Sequence, residues 1–432
     1  MAKHSQFRLL AERRFLPFYL TQFSGAFNDN LYKNALLLLI TFSAGGVMGM
    51  SVNLVVNLAA FLFILPFFLF SGIAGQLADH YEKSRIIRWV KLAEILIMGL
   101  AAAGLWFGWY ELLLVLLFLM GTQSTFFGPV KYAILPQVLS DDELVGGNGL
   151  VSMGTFVAIL LGTIAAGLLM TLEAPARYTA VGVVVMAVLG YLAARKVPPT
   201  HDRHFAVTVR LRPVVETWRL IILAAQRRQV LLAILAISWF WFLGAAYLTQ
   251  FPNFSRVHLG GDETVVTLLL ALFTIGISVG ASLCERLTRH RVSLKPVPWG
   301  ALGLSLFGID LFFAVPDFPE SSIWLTFLTN PTYLRVLIDL IGVGISGGLF
   351  IVPLYAFIQH ETPAHQRARI IAALNVINAL FMVISALAGM VVLGISNVDI
   401  PGFLLSLSLL NGVVLALVTY LRTREFSVSV DK

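Results

Sequence analysis

The sequence has 432 residues, 58% of them hydrophobic and only 12% charged, with a mean hydropathy of +0.86. Soluble domains carry about twice that charge density, so a water-soluble globular protein is excluded. The formal charge of +7 would point to nucleic acid in a soluble chain; in a membrane chain it reflects basic loops gathered on one side. The single cysteine, Cys284, excludes an intramolecular disulfide and a multi-cysteine metal site.

A basic start (Lys3, Arg8, Arg13, Arg14) runs into an apolar segment from about Phe15 to Ile40. That segment is too long for a cleavable signal and no small-residue cleavage site follows, so it reads as the first spanning helix with the N-terminus in the cytoplasm. Apolar runs between polar breaks predict twelve spanning helices, at 15–41, 52–78, 86–108, 112–135, 148–172, 177–194, 229–251, 263–284, 297–316, 332–358, 370–394 and 401–421. With both termini inside, 26 of the 30 lysines and arginines fall on the cytoplasmic side and only Arg177 and Arg256 in outer loops.

The longest polar stretch, 195–228, divides the chain into an N-terminal six-helix half (1–194) and a C-terminal six-helix half (229–432). Within it Val214, Trp218, Ile221, Ile222 and Ala225 repeat at helical spacing after Pro213, predicting a short helix lying on the inner membrane surface. The halves repeat one another. Pro129-Val130-Lys131-Tyr132-Ala133 ends the fourth helix and Val352-Pro353-Leu354-Tyr355-Ala356 the tenth. Each is followed by a glutamine (Gln137, Gln359) and then by an asparagine near the start of the next helix (Asn148, Asn375). The run from Gly75 to His80 after the second helix matches Ala281 to Arg286 after the eighth. Two parallel six-helix repeats resemble the major facilitator architecture. This predicts an all-α integral membrane protein whose twelve helices form two pseudo-symmetric halves, with substrate between them near mid-membrane.

Gly75-x-Leu-Ala-Asp79 with Lys83 and Arg85 resembles the signature loop between the second and third helices of that superfamily, although His80 stands where arginine is common and Glu82 where glycine is. Gly75 lets the second and eleventh helices approach, and the Asp79 carboxylate can cap a neighbouring helix end or pair with inner-loop arginines, a gating arrangement. Glu285 and Arg286 are its counterparts in the second half.

The first helix holds Asn28, Asp29, Asn30, Lys33 and Asn34 at mid-membrane. At about 100° per residue Asp29 and Lys33 stand about 40° apart, so the spacing predicts a self-neutralising pair on one polar arc. Ionisable groups at that depth face an interior or a cavity. They either lock the helix or contact substrate. Lys91 and Glu94 on the third helix read as an interfacial pair. Gln123 is the most polar mid-helix group of the fourth helix, and Lys131, at its inner end, is a further binding candidate or an interfacial cation. The tenth helix carries Arg335 and Asp339 at i,i+4, with Gly342, Gly344, Gly347 and Gly348 below for close packing. Asn375 and Asn378 share a face of the eleventh and either bind substrate or link helices. There is no phosphate-binding glycine loop, no nucleophile elbow and no zinc-ligand spacing, so neither an enzyme nor a cofactor or metal is expected.

The motifs Phe23-Ser-Gly-Ala-Phe-Asn28-Asp29-Asn30, Gly128-Pro-Val-Lys131-Tyr132-Ala-Ile-Leu135, Leu144-Val-Gly-Gly-Asn148-Gly-Leu150 and Phe156-Val-Ala-Ile-Leu-Leu-Gly162 resemble the bacterial lysophospholipid transporters of the major facilitator superfamily. The stretch Ser238 to Gly244 and Gln250 to Asn253 resembles the form fused to a 2-acylglycerophosphoethanolamine acyltransferase. The resemblance covers nearly the whole chain. It implies a multi-pass flippase of the bacterial inner membrane that moves 2-acyl lysophospholipids such as lysophosphatidylethanolamine from the outer to the inner leaflet for re-acylation. Asp29 would be a binding residue and Lys131 a second one. The sequence stops at Lys432 without an acyltransferase, so either a separate enzyme would act with it or the sequence is a trimmed piece of a longer chain, and a monomer suffices. Lys33 or Arg335 could take the phosphate, and Asp29 or Asp339 the ammonium. The alternatives are a major facilitator exporter of drugs or small amphiphiles and a non-transporting membrane anchor for an acyltransferase.

Overall fold

The computed structural model describes residues 5–41, 52–200, 209–316, 323–396 and 398–430. Lys3, Arg203 and Lys432, counted above among the cytoplasmic basic residues, lie outside the described residues. The long helices are α1 (Leu16–Thr41), α2 (Val52–His80), α3 (Lys83–Phe107), α4 (Tyr110–Ala133), α5 (Asp141–Met170), α6 (Pro175–Arg195), α7 (Arg228–Asn253), α8 (Glu263–Leu287), α9 (Val297–Ala314), α10 (Pro331–Glu361), α11 (Arg367–Ile395) and α12 (Ile400–Val430). Eleven of these are long and apolar enough to cross a membrane. The other is α1, 26 residues long, whose polar arc dilutes its hydropathy.

The expected spans agree within about three residues, with two exceptions. Helix α12 runs on past 421, and α5 begins at Asp141 rather than 148. The early start of α5 has a local cause: Glu143 Oε2 accepts from both the backbone N–H (3.0 Å) and the hydroxyl (2.9 Å) of Ser140, while Asp141 and Asp142 add negative charge to the first turn. Helix α3 is opened in the same way by Glu82, which accepts from Ser84 N and Arg85 N. It stops at Gly108, whose φ of 70° suits a residue without a side chain.

By its contacts the chain forms two units. The first comprises Met1–Leu139, Val157–Ala224 and Thr362–Val376, the second Ser140–Phe156, Ala225–Glu361 and Ile377–Lys432. In the first, α2 and α3 pack on α4, and α6 packs on α1 and α3, around a core that includes Tyr32, Leu36, Ala101, Leu117 and Ala187. The expected linker helix forms over Pro213–Ala225 and docks on α2 by its polar side. Gln76 donates to Glu216 (2.9 Å) and accepts from the Arg210 backbone (2.8 Å), leaving Val214, Trp218 and Ile222 exposed on the opposite, apolar face. In the second unit α8 and α9 pack on α10, and α12 on α9. The glycines below Asp339 serve the packing expected of them. A Cβ on Gly344 would stand 2.5 Å from the Phe273 carbonyl, so α8 and α10 touch backbone to backbone.

Candidate functional site

The polar arc of α1 is distributed among several neighbours. Asn28 is fully buried and donates to Glu94 Oε1 (3.0 Å) and to the Val183 carbonyl (3.2 Å). Half-buried Asp29 accepts at 2.7 Å from the Ser124 hydroxyl on α4. Asn30 bonds back to the Ala26 carbonyl, and Asn34 donates to Thr163 on α5 at 2.9 Å. The expected Asp29–Lys33 pair does not form. Lys33 turns to Asn30 (3.4 Å) and lies over the Phe63 ring of α2 at 5.4 Å, whereas Asp29 is drawn to α4. The rotation between the two positions aims them at different helices. Lys131 lies over the Tyr132 ring, 5.3 Å from its centroid.

Lys91 and Glu94 are a correction to the sequence reading. They are not interfacial: both side chains are 1% exposed, with Lys91 Nζ 2.6 Å from Glu94 Oε2. Helix α3 starts at Lys83, three residues before the expected position, which places Lys91 about 12 Å and Glu94 about 16 Å along it. Gln123 on α4 donates to the same Glu94 oxygen at 3.1 Å. The ammonium sits where α1 and α6 present glycines. A Cβ on Gly25 would be 2.6 Å from Lys91 Nζ, and one on Gly190 3.5 Å. The i,i+3 spacing of Lys91 and Glu94 was legible; the depth that makes the pair unusual was not.

At the end of α2, Asp79 both caps and pairs. Its buried carboxylate accepts from the backbone N–H groups of Ala368 (3.0 Å) and Arg369 (3.3 Å) at the start of α11, and from Arg369 Nε (2.9 Å). Gly75 lies one turn earlier, where a Cβ would be 2.9 Å from Ala372 Cβ. Glu82 links the α3 cap to the stretch that follows α6 by accepting from Thr200 N (2.9 Å) and Oγ1 (3.0 Å). Burial pushes its carboxyl up, but these bonds and those from Ser84 outweigh that and hold it below its ordinary 4.5. Lys83 is buried nearby, and Arg85 is exposed over the Trp89 ring. In the second half Glu285 faces His290 at 3.2 Å and Arg286 is exposed.

In the second unit the expected i,i+4 relation of Arg335 and Asp339 is superseded. Arg335 makes a two-pronged ion pair with Asp310 of α9, its Nε 2.9 Å from Oδ2. Asp310 was missed because a lone acid near the end of an apolar run has no spacing that marks its partner. Asp339 is 2% exposed and its Oδ2 has no hydrogen-bond partner. Asn378 accepts from the Ser238 hydroxyl (2.8 Å), and Asn375 packs against Gly128, with its amide nitrogen 2.5 Å from where a Cβ would stand. Asn148 and Gln359, from the repeated motif, join by reciprocal amide bonds of 2.7 and 2.9 Å.

Buried carboxylates, ammonium groups and amides on helices long enough to span a bilayer suit recognition of a zwitterionic solute without covalent chemistry. The model for the Major Facilitator Superfamily matches residues 18–386. The chain is a major facilitator. Its relatives include the lysophospholipid transporter LplT of Serratia proteamaculans, 26% identical over 358 residues (82% of this chain, 81% of that one). LplT of Citrobacter koseri is 29% identical over 350 residues (79% and 78%). Among solved structures, the human organic anion transporter MFSD10 superposes with a TM-score of 0.71 at 12% identity, covering 96% of this chain and 100% of that one. The E. coli fucose:proton symporter FucP gives 0.68 at 14% identity, covering 95% and 99%. These last likenesses establish the fold. The relatives are named transporters, in agreement with the reading of a non-enzyme.

Proposed function

We propose that this major facilitator moves 2-acyl lysophospholipids, lysophosphatidylethanolamine among them, from the outer to the inner leaflet of the bacterial inner membrane by alternating access, with both termini in the cytoplasm. The observation that carries the reading is Asp29. It lies inside the motif that resembles the lysophospholipid transporters, about 20 Å along a spanning helix, and among the described residues its hydrogen-bond donor is the neutral Ser124 hydroxyl. That leaves its charge available to an ammonium. Lys33, Lys131 and Arg335 supply cations for a phosphate, with Asp339 as a second carboxylate. Asn28, Asn30, Asn34, Asn375 and Asn378 are further polar candidates for ligand contact, and Gly75, Asp79, Lys83, Arg85, Glu285 and Arg286 serve as gating groups. Re-acylation after delivery falls to an acyltransferase.

Purified protein in vesicles carrying labelled 2-acyl lysophosphatidylethanolamine in the outer leaflet tests this directly. Time-dependent loss of label from albumin extraction, absent from empty vesicles and weakened by Asp29→Asn, supports the proposal. Extraction that stays complete while the same vesicles move cationic dyes would replace it with an amphiphile exporter.

A further inference from the structure

The polar groups around Asp29 form one continuous hydrogen-bonded chain across three helices. Ser124 Oγ lies 2.7 Å from Asp29 Oδ2 and 3.1 Å from Gln123 Oε1. Gln123 Nε2 reaches Glu94 Oε2, to which Lys91 is also bonded, and Asn28 Nδ2 reaches the other oxygen. Donor and acceptor chemistry dictates the order. A carboxylate only accepts, so Glu94 forces both neighbouring amides to present nitrogen to it. For Asn28 this leaves Oδ1 buried and without a partner; for Gln123 it leaves Oε1 facing Ser124. The serine hydroxyl then stands between two acceptors with one proton to give.

We propose that Glu94, with Lys91 as its counter-charge, is a positioning residue for Asp29. It fixes the Gln123 amide so that Ser124 donates to Asp29 when that carboxylate is free and turns to Gln123 when a cationic group of the ligand takes its place. The turn keeps the hydroxyl proton bonded in both states, so ligand entry leaves no buried donor unmet. An isolated structural ion pair would need neither the Gln123 link nor a serine between two acceptors. Lys91 is held by the glycine notch of α1 and α6, which fixes the whole chain from its far end.

The inference rests on the reading of Asp29 as the ligand-facing carboxylate, and its test has one arm that needs no lipid. Isotope-edited infrared spectra of the full chain in nanodiscs, differenced against Asp29→Asn, isolate the Asp29 carboxyl band. Ser124→Ala is expected to shift that band as Asp29 loses its donor, Glu94→Gln to shift it the opposite way because a released Gln123 amide no longer competes for the Ser124 proton, and Ser124→Thr, which keeps the hydroxyl, to leave it in place. A band unmoved by Glu94→Gln in protein of unchanged melting temperature overturns the proposal. If Glu94→Gln fails to fold, Gln123→Leu serves the same purpose, since it cuts the chain without unpairing Lys91.

The second arm measures lysophosphatidylethanolamine flipping. Glu94→Gln should raise KM about ten-fold with kcat little changed, and should add nothing in an Asp29→Asn background. A fall in kcat alone, or an equal added loss in that background, marks a merely structural pair and refutes the positioning role. A band shift without any lysolipid movement upholds the positioning role and removes the assigned substrate.

Discussion

Substituting Asp79 by asparagine tests whether the contact between the end of α2 and the start of α11 opens during transport. Asparagine keeps one oxygen for the Ala368 N–H, but its amide nitrogen then meets two donors, Arg369 N and Nε, now 3.3 and 2.9 Å from Asp79 Oδ2. The variant therefore loses one charge-assisted bond, about 1.5–3 kcal/mol for a group this buried. It also loses part of an anionic cap on α11. A loss of that size multiplies the population of the open contact by about 10 to 150. A suitable reporter is Ala372→Cys in a Cys284→Ala background: Ala372 is 0% exposed, and its methyl lies 2.9 Å from where a Gly75 Cβ would be. Maleimide labelling from the cytoplasmic face should accelerate at least ten-fold in Asp79→Asn, and partly in Arg369→Lys, which retains the charge but cannot bond Asp79 and the His365 carbonyl together as the guanidinium does. An unchanged labelling rate would refute the latch, because a contact that loses the Arg369 ion pair without opening more often is not held by it.

Three further outcomes are expected. Asp29→Asn should lower lysophosphatidylethanolamine flipping by ten-fold or more, about 1.4 kcal/mol, while lysophosphatidylglycerol, which lacks the ammonium, is less affected; equal losses on both lipids would remove the ammonium assignment. Arg335→Gln should weaken both lipids alike, since both carry phosphate, and should barely move the melting temperature, because the Asp310 pair is exposed; selective loss of one lipid would argue against a phosphate contact. Glu82 is held below its ordinary 4.5, so its stabilisation is complete above that pH and fades as pH falls through the lower folded value. Wild type should accordingly lose melting temperature more steeply than Glu82→Gln on acidification below about 4.5, and parallel curves would show that the Thr200 tie contributes nothing.

The sequence by itself determined the fold class and nearly every helix boundary, because hydrocarbon imposes one rule on every segment: continuous apolar length with its backbone bonds satisfied internally. It also marked Asp79, Gly75 and the polar arc of α1, since a charge or a small residue in an apolar run is costly enough to stand out. Partners were another matter. Asp29 and Lys33 are near neighbours on the helical wheel, yet Ser124 draws one to α4 and the Phe63 ring holds the other toward α2. Arg335 passes over Asp339 on its own helix for Asp310 on the next. Lys91 and Glu94 read as an interfacial pair until α3 carried them into the bundle and set Asn28 and Gln123 around them. Helical periodicity fixes the direction in which a side chain leaves its own helix. Which group waits there depends on the rotation and depth of a second helix, and these were decided only by packing, at glycine contacts such as Gly25 on Lys91 and Gly75 on Ala372.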